Sequence, residues 1–550
     1  MEDRIIECVP NFSEGQNPET IKQITGVIEA VEGVKLLNVD PGFEMNRTVV
    51  TFIGNPEAVA EAAFQSIKKA SELIDMSKHK GSHPRMGATD VCPFIPVSGI
   101  TTEEAIELSH RVAERVGKEL GIPVYMYELS QNDPKRKNLA IIRQGEYEAL
   151  EEKMKRPEWK PDHGPVEFNA KAGATVMGVR EFLIAYNINL NTREVKAATD
   201  IAFELREKGR SARTGGSGVF YYKRPSILKY REGSYPSGLD DFIGKTIDET
   251  AAYCKEKYGF DLFELLELNG INPQKPEGES VKIPGKFKNC KAIGWMVPEY
   301  DRAQISINLT DYKTTPMHLV YEEAKRLAEA RGITVTGSEI VGMVPFRALY
   351  ESGIFYLNRQ ERPTGIPVMD VLKTAAQSLG LNDVSPFKIE ERVLGLPKID
   401  EKALSSLSVA GFADEVSRES PAPGGGSVAA MAGAIGASLA SMVVNLTAYK
   451  KGAGEIDKML DDLSVKAIEI KDKLIKNIDD DSNAFNEYME AMRLPQNTPE
   501  EKNIRFAAMQ AGLKKAVQVP LTTAKLSYEA IKICEIVKQH GNPNSITDVT

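Results

Sequence analysis

Six histidines stand in the 550 residues, at positions 79, 83, 110, 163, 318 and 540, and two of them share one loop. The segment Lys78-His79-Lys80-Gly81-Ser82-His83-Pro84-Arg85-Met86-Gly87 sets five cationic or titratable groups within eight positions of a chain whose net charge is −9. Such a loop attracts anions. Gly81, Pro84 and Gly87 break helical geometry, so His79 and His83 do not stand one turn apart on a helix face as a zinc-binding pair would, and no metal is expected. Imidazole titrates near neutral pH, and cationic neighbours keep it available as a base. The chemistry on offer is proton transfer beside an anionic ligand; the plainer reading is a solvated basic loop.

Other candidates are weaker alone. Asp40 and the pair Asn46-Arg47 fall at strand ends, where a carboxylate can orient a histidine and a guanidinium can clamp an acidic ligand, or where each is a turn residue. The loop Gly164, Pro165, Val166, Glu167, Phe168, Asn169, Ala170, Lys171, Ala172, Gly173 can bring backbone against a flat ligand, although glycine loops of this kind are common. Further on, Gly424, Gly425, Gly426 and Ser427 precede a helix, whose N–H groups and positive dipole end suit a carboxylate or phosphate. The lysine of a P-loop is missing, which disfavours a nucleotide. Asp479, Asp480 and Asp481 follow on a helix. Their crowding predicts a carboxyl inclined to hold a proton for acid–base use, against an exposed acidic turn at a helix start.

These residues need elements to hold them. Apolar runs at 4–9, 34–40, 47–54 and 91–97 read as strands, and Asn17-Pro18-Glu19 and Asn55-Pro56-Glu57 read as helix starts. With a further helix and strand over 102–129, the order is strand, helix, strand, strand, helix, strand and onward. A second pass of that order begins at 182, with strands at 182–190, 292–297, 303–309 and within ITVTGSEIV, and helices from Thr192 and after Pro316. The predicted fold is α+β, two tandem ferredoxin-like βαββαβ subdomains followed by an all-α bundle. About 80 residues part the first helix from the second strand of that second pass, too many for a loop, so an insert at about 215–288 is expected, with a βααβ pattern over 242–286 that weakly resembles a LysM module.

Domain lines are drawn at 1–180, 181–395 with the insert, a proline-marked linker at 396–405, and a helical domain from 406 to 550. Residues 420–449 carry no charge. Their Ala, Gly and Ser content favours a central bundle helix over a membrane span. A pI near 5.6 argues against nucleic acid as a partner. Five cysteines without a C-x-x-C pair read as reduced thiols, and MEDRIIECVPNF lacks the basic start and apolar run of a signal peptide, so a cytosolic location is expected.

ECVPNFSEG at 7–15, NRTVVTF at 46–52 and IDMSKHKGSHPRMGATDVCPFIPV at 74–97 resemble glutamate formimidoyltransferase, a likeness running to about residue 395 with the insert excluded. SPAPGGGSVAA at 420–430 and AFNEYMEAMRLPQNTPEEK at 484–502 resemble the formimidoyltetrahydrofolate cyclodeaminase domain fused to it in the bifunctional enzyme. The resemblance implies transfer of the formimino group from N-formimino-L-glutamate to tetrahydrofolate, or its polyglutamates, then cyclisation to 5,10-methenyltetrahydrofolate with loss of ammonia. It implies no metal or redox cofactor, and a homo-oligomer. It places the acid–base histidine at His83, its assisting acid at Asp40, and the folate loop at Gly164–Gly173. The cyclodeaminase aspartate falls at Asp481 or Asp479. Arg47, Lys78, Lys80 and Arg85 can answer the substrate carboxylates. The family pattern carries at least one more helix beyond the position of residue 550. The alternative is a transferase alone, with a helical domain that acts as a methenyltetrahydrofolate cyclohydrolase or as an inactive folate-binding scaffold.

Overall fold

The computed structural model describes residues 4–43, 46–81, 84–396, 403–450, 452 and 454–550. The first sheet begins with β1 (Ile5–Cys8), β2 (Asn11–Phe12), helix α1 (Pro18–Glu29), β3 (Val34–Gly42) and β4 (Arg47–Gly54). It continues through α2 (Pro56–Leu73), β5 (Thr89–Ser98), α3 (Thr102–Leu120), β6 (Val124–Glu128) and β7 (Thr175–Val179). Both anticipated helix starts form: Asn17 Oδ1 accepts from the N–H groups of Glu19 and Thr20, and Asn55 Oδ1 from that of Ala58, which satisfies donors a helix leaves open. The strand order is β1-β4-β2-β5-β7-β6, with β3 paired to β4. Ile24, Ile28, Phe52, Phe64, Ile67, Phe94 and Val116 fill the core between this sheet and its helices.

The sequence reading omits β7. It runs parallel between β5 and β6 and is buried along its whole length, so its residues show no polar–apolar alternation to detect.

The second sheet follows as β8 (Ile184–Leu190), α4 (Val195–Leu205), β9 (Cys290–Val297), β10 (Arg302–Leu309), α5 (Met317–Glu329) and β11 (Val335–Val341). β9, β10 and β8 form a continuous antiparallel ladder. The long excursion between α4 and β9 is folded. Arg210–Ser211 pairs with Lys282–Ile283, so it opens and closes side by side. Gly209, at φ +60°, permits that closeness, since a Cβ there would strike the Ile283 carbonyl. Helices Ile247–Tyr258 and Leu262–Leu268 cover a private core of Tyr230, Tyr235, Leu262, Leu265, Leu266 and Val281. The strand before them, Ile243–Gly244, pairs with Tyr235–Pro236. The two outer strands of the βααβ pattern therefore have separate partners.

The chain divides into two compact units. The first takes the described residues up to Val335, with Ile340–Phe346 and 392–396; the second takes Thr336–Glu339, Arg347–Glu391 and the described residues from 403. Helices α6 (Phe346–Arg359) and α7 (Val368–Ser378) thus fall almost wholly in the second unit, although composition drew the domain line beyond them; residues 397–402 of the expected linker lie outside the described residues.

The second unit is dominated by α8 (Val409–Val416), α9 (Gly425–Thr447), α10 (Glu455–Met492) and α11 (Pro499–His540). α9 is long and apolar enough to cross a membrane by length and composition. Ala434, Ala437, Ala440 and Val444 of that helix are buried with Leu474, Ile533 and Val537 of its neighbours, while Ile435, Met442 and Leu446 on the same helix stay exposed, so it packs by one face.

Candidate active site

His83 and Ser82 lie outside the described residues; the groups around them do not. His79 has both ring nitrogens engaged. Its Nε2 lies 3.0 Å from the Asn46 carbonyl, which can only accept, so Nε2 carries the proton; Nδ1 accepts from Arg85 Nε at 3.2 Å. Burial holds His79 below the ordinary histidine value, and the Arg85 charge adds to that effect. A neutral imidazole tied at both nitrogens is a brace for the loop rather than a free base. Asn46 completes the brace: its side chain accepts from Gly15 N–H at 2.9 Å and donates to the Lys80 carbonyl at 2.9 Å.

The predicted anion trap is largely balanced from within. Arg85, with its side chain 8% exposed, donates to Glu146 at 2.9 Å and to both oxygens of Glu148 at 3.0 and 2.7 Å. Lys78 pairs with Asp75 at 2.9 Å. Lys80 lines an open recess of about 480 Å³ beside Arg85, Glu146 and Glu148. Local sequence could not show this, because the two glutamates lie some sixty residues downstream.

The loop Gly164–Gly173 is brought against the same segment. Met76 N–H donates to the Lys171 carbonyl at 2.9 Å and Ala88 N–H to that of Ala172 at 2.8 Å. Gly173, at φ +68°, sits where a Cβ would strike the Met86 carbonyl. Tyr147 Oη donates to the Ala170 carbonyl at 2.6 Å, and its ring lies 5.5 Å from that of Phe168. Glycine is thus used here for strand-to-loop closeness. Gly164, Val166, Glu167, Ala170 and Lys171 remain exposed.

Arg47 faces a different space, a cavity of about 780 Å³ in the first unit. Sequence reasoning missed most of its lining: Asn11, Lys137, Arg143, Arg180 and Lys291 come from separate segments, and of these only Asn11 belongs to a motif quoted above. Arg47 donates to Asn11 Oδ1. Burial and the Arg143 charge lower its pKa. Asp40 is exposed on β3, opposite Val49. Behind the wall, Glu7 on β1 is pushed up to about 7 by burial, against the pull of Arg180.

In the second unit the three aspartates lie inside α10, not at a helix start. They also point to separate partners, because successive helical residues are turned by about 100°. Asp480 pairs with Lys476. Asp479 accepts from Leu404 N–H at 2.7 Å and Ser405 Oγ at 2.5 Å, pinning the turn Leu404–Ser406. Asp481 faces the glycine segment: Ser427 Oγ donates to it at 3.3 Å, and a Cβ at Gly426 would lie 2.5 Å from its Cγ. The single hydroxyl proton of Ser427 has a second, nearer acceptor in the Ile478 carbonyl at 2.8 Å, and its Oγ lies 3.1 Å from Ser482 Oγ. The helix starts at Gly425 without a side-chain cap. No group of three or more metal-ligating side chains occurs among the described residues.

Three family descriptions match: the formiminotransferase domain, N-terminal subdomain, over residues 5–180; the formiminotransferase domain over 270–396; and formiminotransferase-cyclodeaminase over 408–550. A formimidoyltransferase-cyclodeaminase of Gallus gallus is 39% identical over 543 residues, 98% of this chain and 87% of that one. A glutamate formimidoyltransferase of Streptococcus pyogenes is 35% identical over 358 residues, 65% of this chain and 95% of that one. A methenyltetrahydrofolate cyclohydrolase of Methylorubrum extorquens is 43% identical over 137 residues, 25% of this chain and 66% of that one.

Proposed function

The chain belongs to the formimidoyltransferase-cyclodeaminase family, and from that premise we infer two linked reactions. The enzyme transfers the formimino group of N-formimino-L-glutamate to N5 of tetrahydrofolate, and the fused helical domain cyclises the product to 5,10-methenyltetrahydrofolate with release of ammonia. The observation that carries this reading is the likeness to fused enzymes over almost the whole chain. Tetrahydrofolate is substrate rather than resident cofactor, and neither step calls for a metal.

The transferred carbon is an amidine, and attack by N5 makes a tetrahedral centre from which the glutamate nitrogen departs only once protonated. His83 takes the N5 proton and returns one to the leaving nitrogen, assisted by Asp40; positioned transfer of this kind contributes roughly 10²–10⁴-fold. The engagement of both nitrogens of His79 supports His83 as the working imidazole of the loop. Gly164–Gly173 forms the folate loop, and Arg47 and Lys80 answer substrate carboxylates. Lys78 and Arg85, already paired with carboxylates, shape the loop while adding to the field. In the helical domain Asp481 passes a proton between the two nitrogens of the cyclisation, beside the segment Gly424–Ser427; its contact with Ser427 supports it over Asp479, which holds a turn.

The finer architecture we propose is two ferredoxin-like subdomains, over 1–180 and 181–395, then a linker at 396–405 and the cyclodeaminase from 406. The LysM-like segment 242–286 acts as a spacer or as a contact between copies of a homo-oligomer in the cytosol. A methenyl-specific absorbance assay from formiminoglutamate and tetrahydrofolate tests the inference: product with ammonia release supports it, and no transfer ends it. The likeness of the C-terminal region to a methenyltetrahydrofolate cyclohydrolase favours a second reading, in which that domain hydrolyses the methenyl group. Following ammonia release against methenyl loss separates the two.

A further inference from the structure

Asp90 belongs to the motif GATDVCPF yet has no part in the scheme above. It lies on β5 with its side chain 2% exposed. One oxygen accepts from Met86 N–H at 3.0 Å, and the other accepts from Arg143 Nη2. Arg143 follows the short helix Leu139–Ile142 and lines the large cavity with its side chain 16% exposed. Arg47 lines the same cavity, within the fields of both Arg143 and Asp90. Asp90, buried, and Asp40, exposed, thus stand near these two guanidinium groups. Among the described residues, the Nε–H groups of both Arg47 and Arg143 are buried and meet no acceptor. The cavity lining sets Arg47, Lys137, Arg143, Arg180 and Lys291 against Glu128, Glu181 and Asp311, an excess of cations that suits an anion. The planar fork of arginine matches a carboxylate.

We propose that Arg143 and Arg47 together bind one carboxylate of the amino-acid donor, and that Asp90 is a positioning residue that sets the Arg143 guanidinium for it. The proposal rests on the transferase reading above. The donor is favoured over the folate tail because Arg47 directly follows Asn46, whose carbonyl accepts a hydrogen bond from His79 Nε2. The pair is thereby tied to the loop that carries the proposed acid–base group. The cavity's other cations, Lys137, Lys291 and Arg180, come from other segments and lie in the field of Glu128 on the same lining.

The test uses the full chain, its Arg143→Gln and Arg143→Lys variants, and two donor analogues with either the α- or the γ-carboxylate converted to an amide. Arg143→Gln is expected to raise KM for formiminoglutamate about 10–100-fold, with kcat and KM for tetrahydrofolate little changed, since uniform binding is lost. One amide analogue should suffer a similar loss with the unaltered enzyme and almost no further loss with Arg143→Gln, because the interaction is already gone. Arg143→Lys keeps the charge opposite Asp90 and should fall between; it also serves should the glutamine variant fail to fold. Asp90→Asn should raise KM for the donor while leaving kcat nearly as it was. A normal donor KM in the Arg143 variants, additive losses with both amides, or a rise confined to KM for tetrahydrofolate would overturn the proposal while leaving the transferase standing. No transfer by the unaltered chain would overturn the transferase reading and this proposal together.

Discussion

The two proposed sites are assembled in opposite ways. In the first unit the charged side chains come from strand ends and loops far apart in sequence. They compensate one another at distance: Arg85 is held by Glu146 and Glu148, and Arg143 by Asp90. In the second unit the feature is local to two helix faces, where Asp481 lies against Gly426 and Ser427 with only small side chains between. A site spread over loops is protected by a network in which each group has other partners. A site made where two helices touch depends on the absence of a single methyl group.

That contrast can be broken by substitution. The largest effect is expected for His83→Ala, which should lower transfer by about 10²–10⁴-fold while cyclisation of supplied 5-formimidoyltetrahydrofolate continues; equal loss of both would mean the two sites are not independent. Next is the pair Asp481→Asn and Gly426→Ala. Each should reduce cyclisation at least about 10-fold and spare transfer, the first by removing the proton carrier and the second by forcing the carboxylate aside. Asp479→Asn sharpens the same point: it should leave cyclisation intact and destabilise the helical domain by about 1–2 kcal/mol through the hydrogen bonds to Leu404 and Ser405, measured by denaturant titration. If Asp479→Asn abolishes cyclisation and Asp481→Asn does not, the assignment reverses.

The effect on activity is smallest at Glu7, which acts on stability alone. Its folded value of about 7 lies above the ordinary 4.5, so between those values the native state binds a proton that the unfolded chain has released. Stability therefore falls as pH rises through that window, on the order of 3 kcal/mol in total. Glu7→Gln should flatten the dependence, gaining stability at pH 8 and little at pH 4. An unchanged slope in urea titrations would show that Glu7 finds compensation in solution.

Much of this was legible in the chain itself. Strand alternation and the two Asn-Pro-Glu helix starts located most elements of the first unit, because both are short-range patterns. β7 escaped because a strand buried on every side has no period; α6 and α7 group with the helical unit by contact, while the likeness to the formiminotransferase domain runs through them to residue 396. At the site, the basic loop and the glycine segments could be picked out by residue type. Their partners could not, since Glu146, Glu148, Asp90 and Arg143 acquire meaning only when the fold sets them beside one another. Crowding of the three aspartates was misjudged for the same reason: adjacency in sequence is separation around a helix.

The paired ends of the excursion within the second sheet have a practical outcome. Because Arg210–Ser211 and Lys282–Ile283 lie side by side, the 70 intervening residues form a closed pouch with its own core. Lineages could therefore graft in or discard such a module without re-registering the ladder of β8, β9 and β10, and an engineer could replace it with a short glycine-bearing turn or a reporter domain at the same seam.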